Sequence, residues 1–478
     1  MIGASSVEVF CFQSAVGQNL FSKFVTGNLR PAQSPARVMT AGVGGWIAPL
    51  RSLMRRESYP MAVNANNSPI HKDRRAFLGA GAALVTAALA TGDALAQEPQ
   101  KADGRSASDA GPENQKVREA NPNTFLPPST DHGEVPEFWN SFSTSHRRIQ
   151  QGGWSRQITV QDFPLSKEIA GVNMRLTAGG VRELHWHNAG EWALMLSGNA
   201  RITALDNDGK AFVADVSKDD LWYFPTGNPH SIQGLQPDGC EFLLVFDDGK
   251  FSEADTTLIS DWVRHTPAEV LAKNWGVSES AIQGVYAQPP DGHYIFQLPI
   301  PGTLEQDRRA AAGAKGLSPV KFSFSLRSMA PTFKTGSGEV RVVDTRNFPV
   351  STTIAAAHVV VKPGGLRELH WHQNADEWQY YIQGQARMTV FFNGSKARTA
   401  DFNAGDVGVV PKTLGHYVEN TGTTDLIFLE MFKADCFMDL SLSDWMTHAP
   451  PSLISQHLGI SEEVLRRLPQ DKAPIMPA

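Results

Sequence analysis

The pattern of apolar and polar positions after residue 145 is typical of many short β-strands. Brief apolar runs are separated by Gly, Asn and Asp, residues that favour turns. In the first half of this region the runs lie at residues 171–176, 191–196, 200–204 and 241–246. Short strands at this spacing predict a β-sandwich or a β-barrel.

A second copy of the pattern follows the first. Its runs lie at residues 357–361, 377–382, 386–391 and 426–432. The hexapeptide Arg-Glu-Leu-His-Trp-His occurs at residues 182–187 and again at 367–372. A repeat of this length indicates a duplicated domain rather than a solenoid. We therefore expect domains at residues 131–300 and 301–478, with an Ala- and Gly-rich crossover at about 301–317.

Helix-like sequence follows each predicted barrel, at residues 260–267 and 443–450. Ser or Asp before an apolar-periodic run is a helix start signal, and a later Pro opens a second helix. The histidines of these segments, His265 and His448, lack ligand-like neighbours. We interpret them as surface or capping residues.

Residues 61–96 have the features of a twin-arginine export signal. Arg74 and Arg75 precede a short apolar stretch, and Ala94-Leu95-Ala96 provides a cleavage site. A membrane anchor fits less well, because the apolar stretch is interrupted and falls short of the roughly 20 residues that a span needs. We expect cleavage after Ala96 and a periplasmic or secreted protein.

The segments on either side of this signal carry no recognisable domain. Export signals begin near the N-terminus, so we interpret residues 1–60 as a mis-assigned upstream extension and Met61 as the true start. Residues 97–130 are rich in Gln, Asp, Ser, Pro and Lys without hydrophobic periodicity. They predict a flexible leader.

Charge and cysteine content narrow the function classes. Residues 1–96 contain nine Lys or Arg and four Asp or Glu, so removing their +5 from the net −6 leaves about −11. An acidic chain of this kind is a poor candidate for binding nucleic acid or an anionic membrane. An anionic substrate would have to be met by local positive charge. Cys240 and Cys436 have no paired spacing and are interpreted as buried thiols.

The repeated hexapeptide carries candidate metal ligands. Side chains alternate along a strand, so His185 and His187 share one face. Each copy adds a Glu and a later His, which gives the two sets His185, His187, Glu191, His230 and His370, His372, Glu377, His416. Imidazoles with one carboxylate suit manganese or iron better than tetrahedral zinc. The sequence therefore predicts two metal sites.

These residues resemble the two motifs of the cupin superfamily. The first motif spans residues 179–198 and 364–384, and the second spans 225–230 and 405–420. The hexapeptides, together with the sequence at 246–253, are similar to the bicupin oxalate decarboxylases. The resemblance implies an all-β fold of two tandem cupin barrels (double-stranded β-helices, or jelly rolls), each followed by short α-helices.

The same resemblance implies an activity and its cofactors. Members of that family bind Mn²⁺ in each barrel and convert oxalate to formate and carbon dioxide, with dioxygen as a cofactor. They usually form homo-trimers or homo-hexamers. We expect this reaction here, with oxalate as the partner of the protein and no nucleic acid or membrane partner for the mature chain.

The resemblance also assigns roles around the first site. Arg182 lies three residues before His185 and would hold a carboxylate by charge-assisted hydrogen bonds. Glu253 matches the family's lid glutamate, which would exchange the substrate proton. The following Ala254 and Asp255 depart from the family's usual Asn-Ser. Trp222 and Tyr294, like the two motif tryptophans, are interpreted as core or interface residues.

The second site differs from the first. It retains Arg367 and Glu430 as counterparts of family residues, but Phe437 stands where the family often has Tyr, and residues 433–436 lack the Ser-Glu lid. We therefore expect catalysis mainly in the first barrel. Two alternatives stay open. One is an oxalate oxidase, which releases hydrogen peroxide; in the family this activity goes with loss of the lid acid. The other is a non-catalytic metal-binding bicupin.

Overall fold

The computed structural model describes residues 111–287 and 294–478. The predicted upstream extension, the export signal and the first part of the leader lie outside the described residues. None of the helices in the described ranges has the length and apolar composition needed to cross a membrane.

The first half of the described chain is built from twelve short strands. These are β1 (Trp139–Ser141), β2 (Arg148–Gln150), β3 (Gly153–Ile158), β4 (Ala170–Leu176), β5 (Gly180–Trp186), β6 (Glu191–Leu205), β7 (Ala211–Ser217), β8 (Asp220–Phe224), β9 (His230–Gly234), β10 (Cys240–Phe246), β11 (Thr257–Leu258) and β12 (Ile295–Gln297). The two runs predicted at 191–196 and 200–204 are one strand, β6. It bends at Gly198, whose φ of 74° favours glycine.

The second half repeats this arrangement. Its strands are β13 (Ser323–Ser325), β14 (Phe333–Thr335), β15 (Gly338–Val343), β16 (Ala355–Val361), β17 (Leu366–Trp371), β18 (Glu377–Gln383), β19 (Gln385–Phe392), β20 (Lys396–Asn403), β21 (Asp406–Val410), β22 (His416–Asn420), β23 (Leu426–Phe432), β24 (Leu440–Ser441) and β25 (Ile475–Met476).

Helices are short and lie mostly after the barrels. They are α1 (Gln115–Ala120), α2 (Pro122–Phe125), α3 (Ile259–Arg264), α4 (Ala268–Trp275), α5 (Gln283–Tyr286), α6 (Leu304–Ala312), α7 (Leu442–Thr447), α8 (Pro451–Leu458) and α9 (Glu462–Leu465). Single 3₁₀ turns occur at Glu253–Asp255, Glu279–Ile282 and Leu326–Ser328. His265 and His448 are the C-cap residues of α3 and α7, so the prediction of a capping role is confirmed.

Each half forms a barrel of antiparallel strands around its own core. In the second half, one sheet has the order β1-β21-β18-β23-β16-β15-β14 and faces a sheet with the order β20-β19-β22-β17-β24. In the first half, β6 is long enough to pair with β10 and β8 along one part, and with β7 and β9 along the other.

A third apolar cluster joins the two barrels. Both faces of strand β10 are buried, which explains its unbroken apolar sequence. Phe242 and Leu244 face the core of the first barrel, whereas Leu243 and Val245 face the cluster between the barrels. Strand β18 of the second barrel contributes Trp378 to the same cluster. Strands with two buried faces therefore read as continuous apolar runs.

The barrels also exchange short strands. Strand β1 precedes the first barrel but pairs with β21 of the second, and β13 follows the predicted boundary but pairs with β8 of the first. Helix α6 lies on the first barrel, where Arg308 Nε donates to the carbonyl of Val213 at 2.9 Å. A single domain boundary near residue 300 therefore places β1 and β13 in a different domain from the strands with which they pair.

The end of the predicted leader has defined structure. Helices α1 and α2 lie in residues 111–130, and Asn123 N–H donates to Asp401 of the second barrel at 2.7 Å. Polar contacts of this kind fix the described part of the predicted flexible leader, although this part has no apolar periodicity. Cys240 and Cys436 are both buried, as predicted.

Candidate metal centres

The structure brings the four predicted ligands of the first barrel together. His185 lies on β5, directly opposite His230 at the start of β9, and Glu191 begins β6. With His187, just past the end of β5, their ligand atoms all lie within 4.8 Å of one another. All four side chains are buried. The alternation of side chains along β5 and into the residue that follows it explains why His185 and His187 point to one centre.

Hydrogen bonds orient these ligands. The Nδ1 atoms of His185, His187 and His230 lie 2.5, 2.6 and 2.7 Å from backbone carbonyls. Each Nε2 is thereby directed to the centre, which is the usual outer-shell arrangement around a metal. Trp222 Nε1 donates to Glu191 Oε1 at 2.9 Å, so this predicted core residue also orients a ligand.

The electrostatics of the cluster favour a cation. Burial lowers the pKa of His185 and of His230, which keeps both imidazoles neutral. Burial alone would raise the pKa of Glu191, but the adjacent His230 and His187 outweigh it and lower that pKa. His230 Nε2 is buried without a hydrogen-bond partner among the described residues. Three imidazole nitrogens and one carboxylate fit a divalent ion such as Mn²⁺.

The second barrel holds an equivalent cluster. Its predicted ligands are His370, His372, Glu377 and His416, whose ligand atoms also lie within 4.8 Å of one another. The three Nε2 atoms are buried, and those of His372 and His416 lie 3.2 and 2.6 Å from Glu377 Oε2. Here Gln379 Nε2, at 2.7 Å, donates to Glu377 Oε1 in the role that Trp222 has in the first barrel. The donor set again fits a divalent metal ion.

The two arginines that precede the metal ligands have different surroundings. Arg182 is 3% exposed, and within the described residues no carboxylate oxygen lies within 4.0 Å of its guanidinium. Its contacts are the Tyr294 ring, 3.8 Å from the guanidinium carbon to the ring centroid, and the Tyr294 carbonyl at 3.4 Å. A buried cation without an anionic partner is prepared to receive one.

Arg367 is already paired. Its Nε lies 2.9 Å from Glu430 Oε1, and its Nη2 lies 3.0 Å from Asp439 Oδ2. The other oxygen of Asp439, Oδ1, contacts Lys472. Burial lowers the pKa of Arg367, but the two carboxylates dominate and raise it. Phe437 lies beside the site, with its ring centroid 5.7 Å from that of His372. Carboxylates thus engage Nε and Nη2 of this second arginine, whereas its Nη1 is buried without a hydrogen-bond partner in the described chain.

The predicted lid residue Glu253 is buried in a single 3₁₀ turn capped by Ser252, whose Oγ accepts from the Ala254 N–H at 3.2 Å. Glu253 Oε2 accepts from the Ser155 hydroxyl at 2.7 Å. Its Oε1 is buried without a hydrogen-bond partner among the described residues. One oxygen of the carboxylate is held, and the other is available for proton exchange.

A pocket of about 320 Å³ lies against this turn, and its lining includes Arg148, Ser155 and Glu253. Tyr294 lies between two guanidinium groups, those of Arg182 and of Arg148, the latter 3.9 Å from the ring centroid. Burial raises the pKa of the Tyr294 hydroxyl, Arg182 opposes this rise, and Glu253 adds to it. The tyrosine therefore stays protonated beside the lid.

Sequence reasoning did not find the contributions of Ser155 and Arg148, and it interpreted Tyr294 as a packing residue. Ser155 lies almost a hundred residues before the lid, and a single Ser in a strand has no motif. Its replacement by an apolar residue at the equivalent place in the second copy is the signal that could have identified it.

Comparisons with known proteins agree with this architecture. The Cupin family model matches residues 140–283 and 324–466. The oxalate decarboxylase OxdC of Bacillus subtilis is 47% identical over 365 residues, covering 76% of this chain and 93% of that protein. A probable oxalate decarboxylase of Arthroderma benhamiae is 41% identical over 404 residues, covering 82% of this chain and 98% of that protein.

A solved structure leads to the same family. The Bacillus subtilis oxalate decarboxylase, studied for its Mn(II) centres, superposes with a TM-score of 0.75 at 45% identity. The match covers 80% of this chain and 99% of that chain. The predicted all-β fold of two cupin barrels with short helices is confirmed. The chain belongs to the bicupin oxalate decarboxylase family of the cupin superfamily.

Proposed function

We propose that the protein is a manganese-dependent oxalate decarboxylase, which cleaves hydrogen oxalate to formate and carbon dioxide at the first barrel. The observation that carries this proposal is the combination around that site of an unpaired buried guanidinium, Arg182, and a buried carboxylate with one free oxygen, Glu253. Family membership and the relatives named above support the choice of substrate.

Separate residues bind the substrate, exchange its proton and exclude water. Arg182 binds one carboxylate of oxalate by charge-assisted hydrogen bonds, and Tyr294 keeps the guanidinium in place by stacking. Glu253 accepts the substrate proton through its free Oε1 and later returns it to the carbon that becomes formate. The buried lid excludes bulk water from this exchange. Manganese, when bound with dioxygen, supplies the one-electron redox chemistry that carbon-carbon cleavage requires.

The second site has another role in this proposal. Glu430 and Asp439 occupy Arg367, so an oxalate dianion meets buried negative charge there instead of a free cation. The second metal is then structural or supplies electrons, and Arg367 and Glu430 are not the main catalytic residues.

One assay distinguishes the three functions under consideration. Purified protein loaded with manganese is incubated with oxalate in air, and formate, carbon dioxide and hydrogen peroxide are measured. A decarboxylase yields equal amounts of formate and carbon dioxide. Peroxide with two carbon dioxide molecules for each oxalate would instead identify an oxidase, and unchanged oxalate would identify a binding protein.

We also propose that the protein is exported by the twin-arginine route to the periplasm or medium. The paired arginines, the short apolar stretch and the Ala-x-Ala site support this. Mass spectrometry of the protein recovered outside the cytoplasm should find an N-terminus at Gln97. Replacing Arg74 and Arg75 by Lys should retain the precursor in the cytoplasm; unchanged export would contradict the proposal.

Apolar surface supports assembly into a homo-trimer or homo-hexamer. Trp262 and Trp445 occupy equivalent places in the two halves and are 61% and 63% exposed, beside the motif tryptophans Trp186 and Trp371. Large exposed aromatic side chains are enriched at interfaces. Light scattering coupled to gel filtration should give a mass of three or six chains, and Trp262→Glu should reduce it. A monomeric wild type would contradict this proposal.

A further inference from the structure

The lid glutamate is attached to the neighbouring strand β3 by two polar contacts. The Ser155 hydroxyl donates to Glu253 Oε2 at 2.7 Å, and Gln157 Oε1 accepts from the Glu253 N–H at 3.2 Å. Ser155 is completely buried, and Glu253 is 9% exposed. A hydroxyl to a carboxylate inside the protein is a charge-assisted hydrogen bond, stronger than a neutral one.

The second barrel provides an internal comparison. Strand β15 is the counterpart of β3: both begin with Gly, and Ser155 pairs with Met174 as Val340 pairs with Val359. The counterparts of Ser155 and Gln157 are therefore Val340 and Val342.

Both valines are buried in the core of the second barrel. That barrel lacks the Ser-Glu lid. The polar residues on β3 thus occur in the barrel that has a lid carboxylate, and apolar residues replace them in the barrel that has none. A purely structural role in the barrel would not require this difference, because valine fills the same place in the second copy.

We propose that Ser155, assisted by Gln157, is a positioning residue that holds Glu253 in its buried, closed conformation and thereby sets the ratio of formate to peroxide. The proposal rests on the function proposed above. The hydrogen bond engages Oε2 and leaves Oε1 free, so Ser155 also determines which oxygen exchanges the proton.

Whether formate or peroxide forms depends on whether Glu253 returns the substrate proton to carbon. With Glu253 in place, hydrogen oxalate gives formate and carbon dioxide, because the proton lost by the substrate returns to carbon. Without it, the electrons left on carbon after the first carbon dioxide departs pass to dioxygen. Hydrogen oxalate, one further proton from water and dioxygen then give two carbon dioxide molecules and hydrogen peroxide. A displaced lid therefore converts decarboxylation into oxidation.

The matched substitutions are Ser155→Val and Ser155→Thr. Val and Thr have nearly the same shape, so both variants crowd the barrel equally and differ in the hydroxyl. A hydrogen bond to a charged group changes the equilibrium between closed and open lid by roughly tenfold to a hundredfold. We expect the kcat for formate production to be lower by about this factor in S155V, and more peroxide to be released. The KM should change less, because Arg182 is intact. S155T should restore most of the wild-type ratio.

A second measurement does not depend on turnover. Hydrogen exchange of the backbone amides at residues 252–256, followed by mass spectrometry on the manganese-loaded protein without oxalate, reports lid opening directly. Exchange should be about tenfold faster in S155V than in S155T. Val340→Thr is the control, because it changes a buried hydroxyl in the barrel without a lid and should leave exchange at 252–256 as in the wild type.

The outcomes separate the two proposals. Equal lid exchange in S155V and S155T would overturn the positioning role. Faster exchange in S155V with an unchanged product ratio would overturn the link between Ser155 and specificity. A wild type that produces no formate, combined with faster exchange in S155V, would refute the proposed decarboxylase activity and would retain Ser155 as the residue that holds the lid.

Discussion

At the scale of single residues, the duplicated arginines have different surroundings although their local sequences are identical. Arg182→Ala should lower kcat/KM for oxalate by about a hundredfold or more, because it removes the cation that binds a carboxylate. Its effect on folding should be limited to the lost stacking on Tyr294, about 0.5–2 kcal/mol. Arg367→Ala should destabilise the protein by roughly 3–5 kcal/mol, because two buried carboxylates lose their cation.

Steady-state kinetics and urea unfolding of the two variants measure this difference. Both should be compared at full manganese occupancy, since bound metal adds to stability. Equal losses of stability in the two variants, or an R367A protein with the larger loss of kcat/KM, would contradict the division of roles between the barrels.

Glu253 should be required for proton exchange and not for metal binding. Glu253→Ala should lower formate production by at least about a hundredfold, the scale of a general acid or base. Manganese content, measured by elemental analysis, should stay at the wild-type value because Glu253 is not among the clustered ligands. Loss of one manganese per chain would show that Glu253 acts through the metal site instead.

Residues close in sequence or repeated in register could be predicted, and residues brought together by the fold could not. The clustered ligands were identifiable because two histidines alternate on one strand and the whole set occurs twice. Asp439, which neutralises Arg367, has no motif. Ser155 and Arg148 contact the lid region and Tyr294 only because β2 and β3 fold back beside them.

At the scale of elements, the two barrels pack through a close contact at Gly171 of β4. A Cβ at this position would lie 2.6 Å from Trp378 of the second barrel. Gly171→Ala should therefore cost about 1–3 kcal/mol through overpacking. Gly336→Ala is a matched control, because a Cβ there meets no atom within 4 Å. Thermal unfolding with saturating manganese should show a lower Tm for G171A alone; equal Tm values would mean that the barrels move apart easily.

The positions of several longer strands along the chain were predictable, because apolar runs and turn residues mark them. The exchanged strands β1 and β13 were not, since three-residue segments carry too little periodicity to show their partners. The continuity of β6 was also missed, because Gly198 reads as a turn and instead accommodates a bend within one strand.

At the scale of the whole molecule, a pocket of about 350 Å³ lies between the barrels and contains His358. Its Nδ1 is buried without a hydrogen-bond partner among the described residues. Burial lowers the pKa of His358 to about 4, against an opposing effect of Asp219; Arg341 lowers it further and Glu339 opposes. The joined barrels therefore partly bury a histidine that resists protonation, a property that belongs to neither barrel sequence alone.

This histidine should make stability depend on pH. Because its pKa is lower in the folded state than the unfolded value of 6.5, the unfolded chain binds more protons between pH 6.5 and about 4. As the pH falls through this window, protonation of His358 in the unfolded chain should lower the free energy of unfolding by at most about 2–3 kcal/mol. This contribution should stay constant below about pH 4. His358→Gln should remove that part of the slope. Urea unfolding of the metal-free wild type and variant, which avoids acid-driven loss of manganese, measures the difference. Parallel curves between pH 6.5 and 4 would show that His358 titrates alike in both states, and that water reaches it between the barrels.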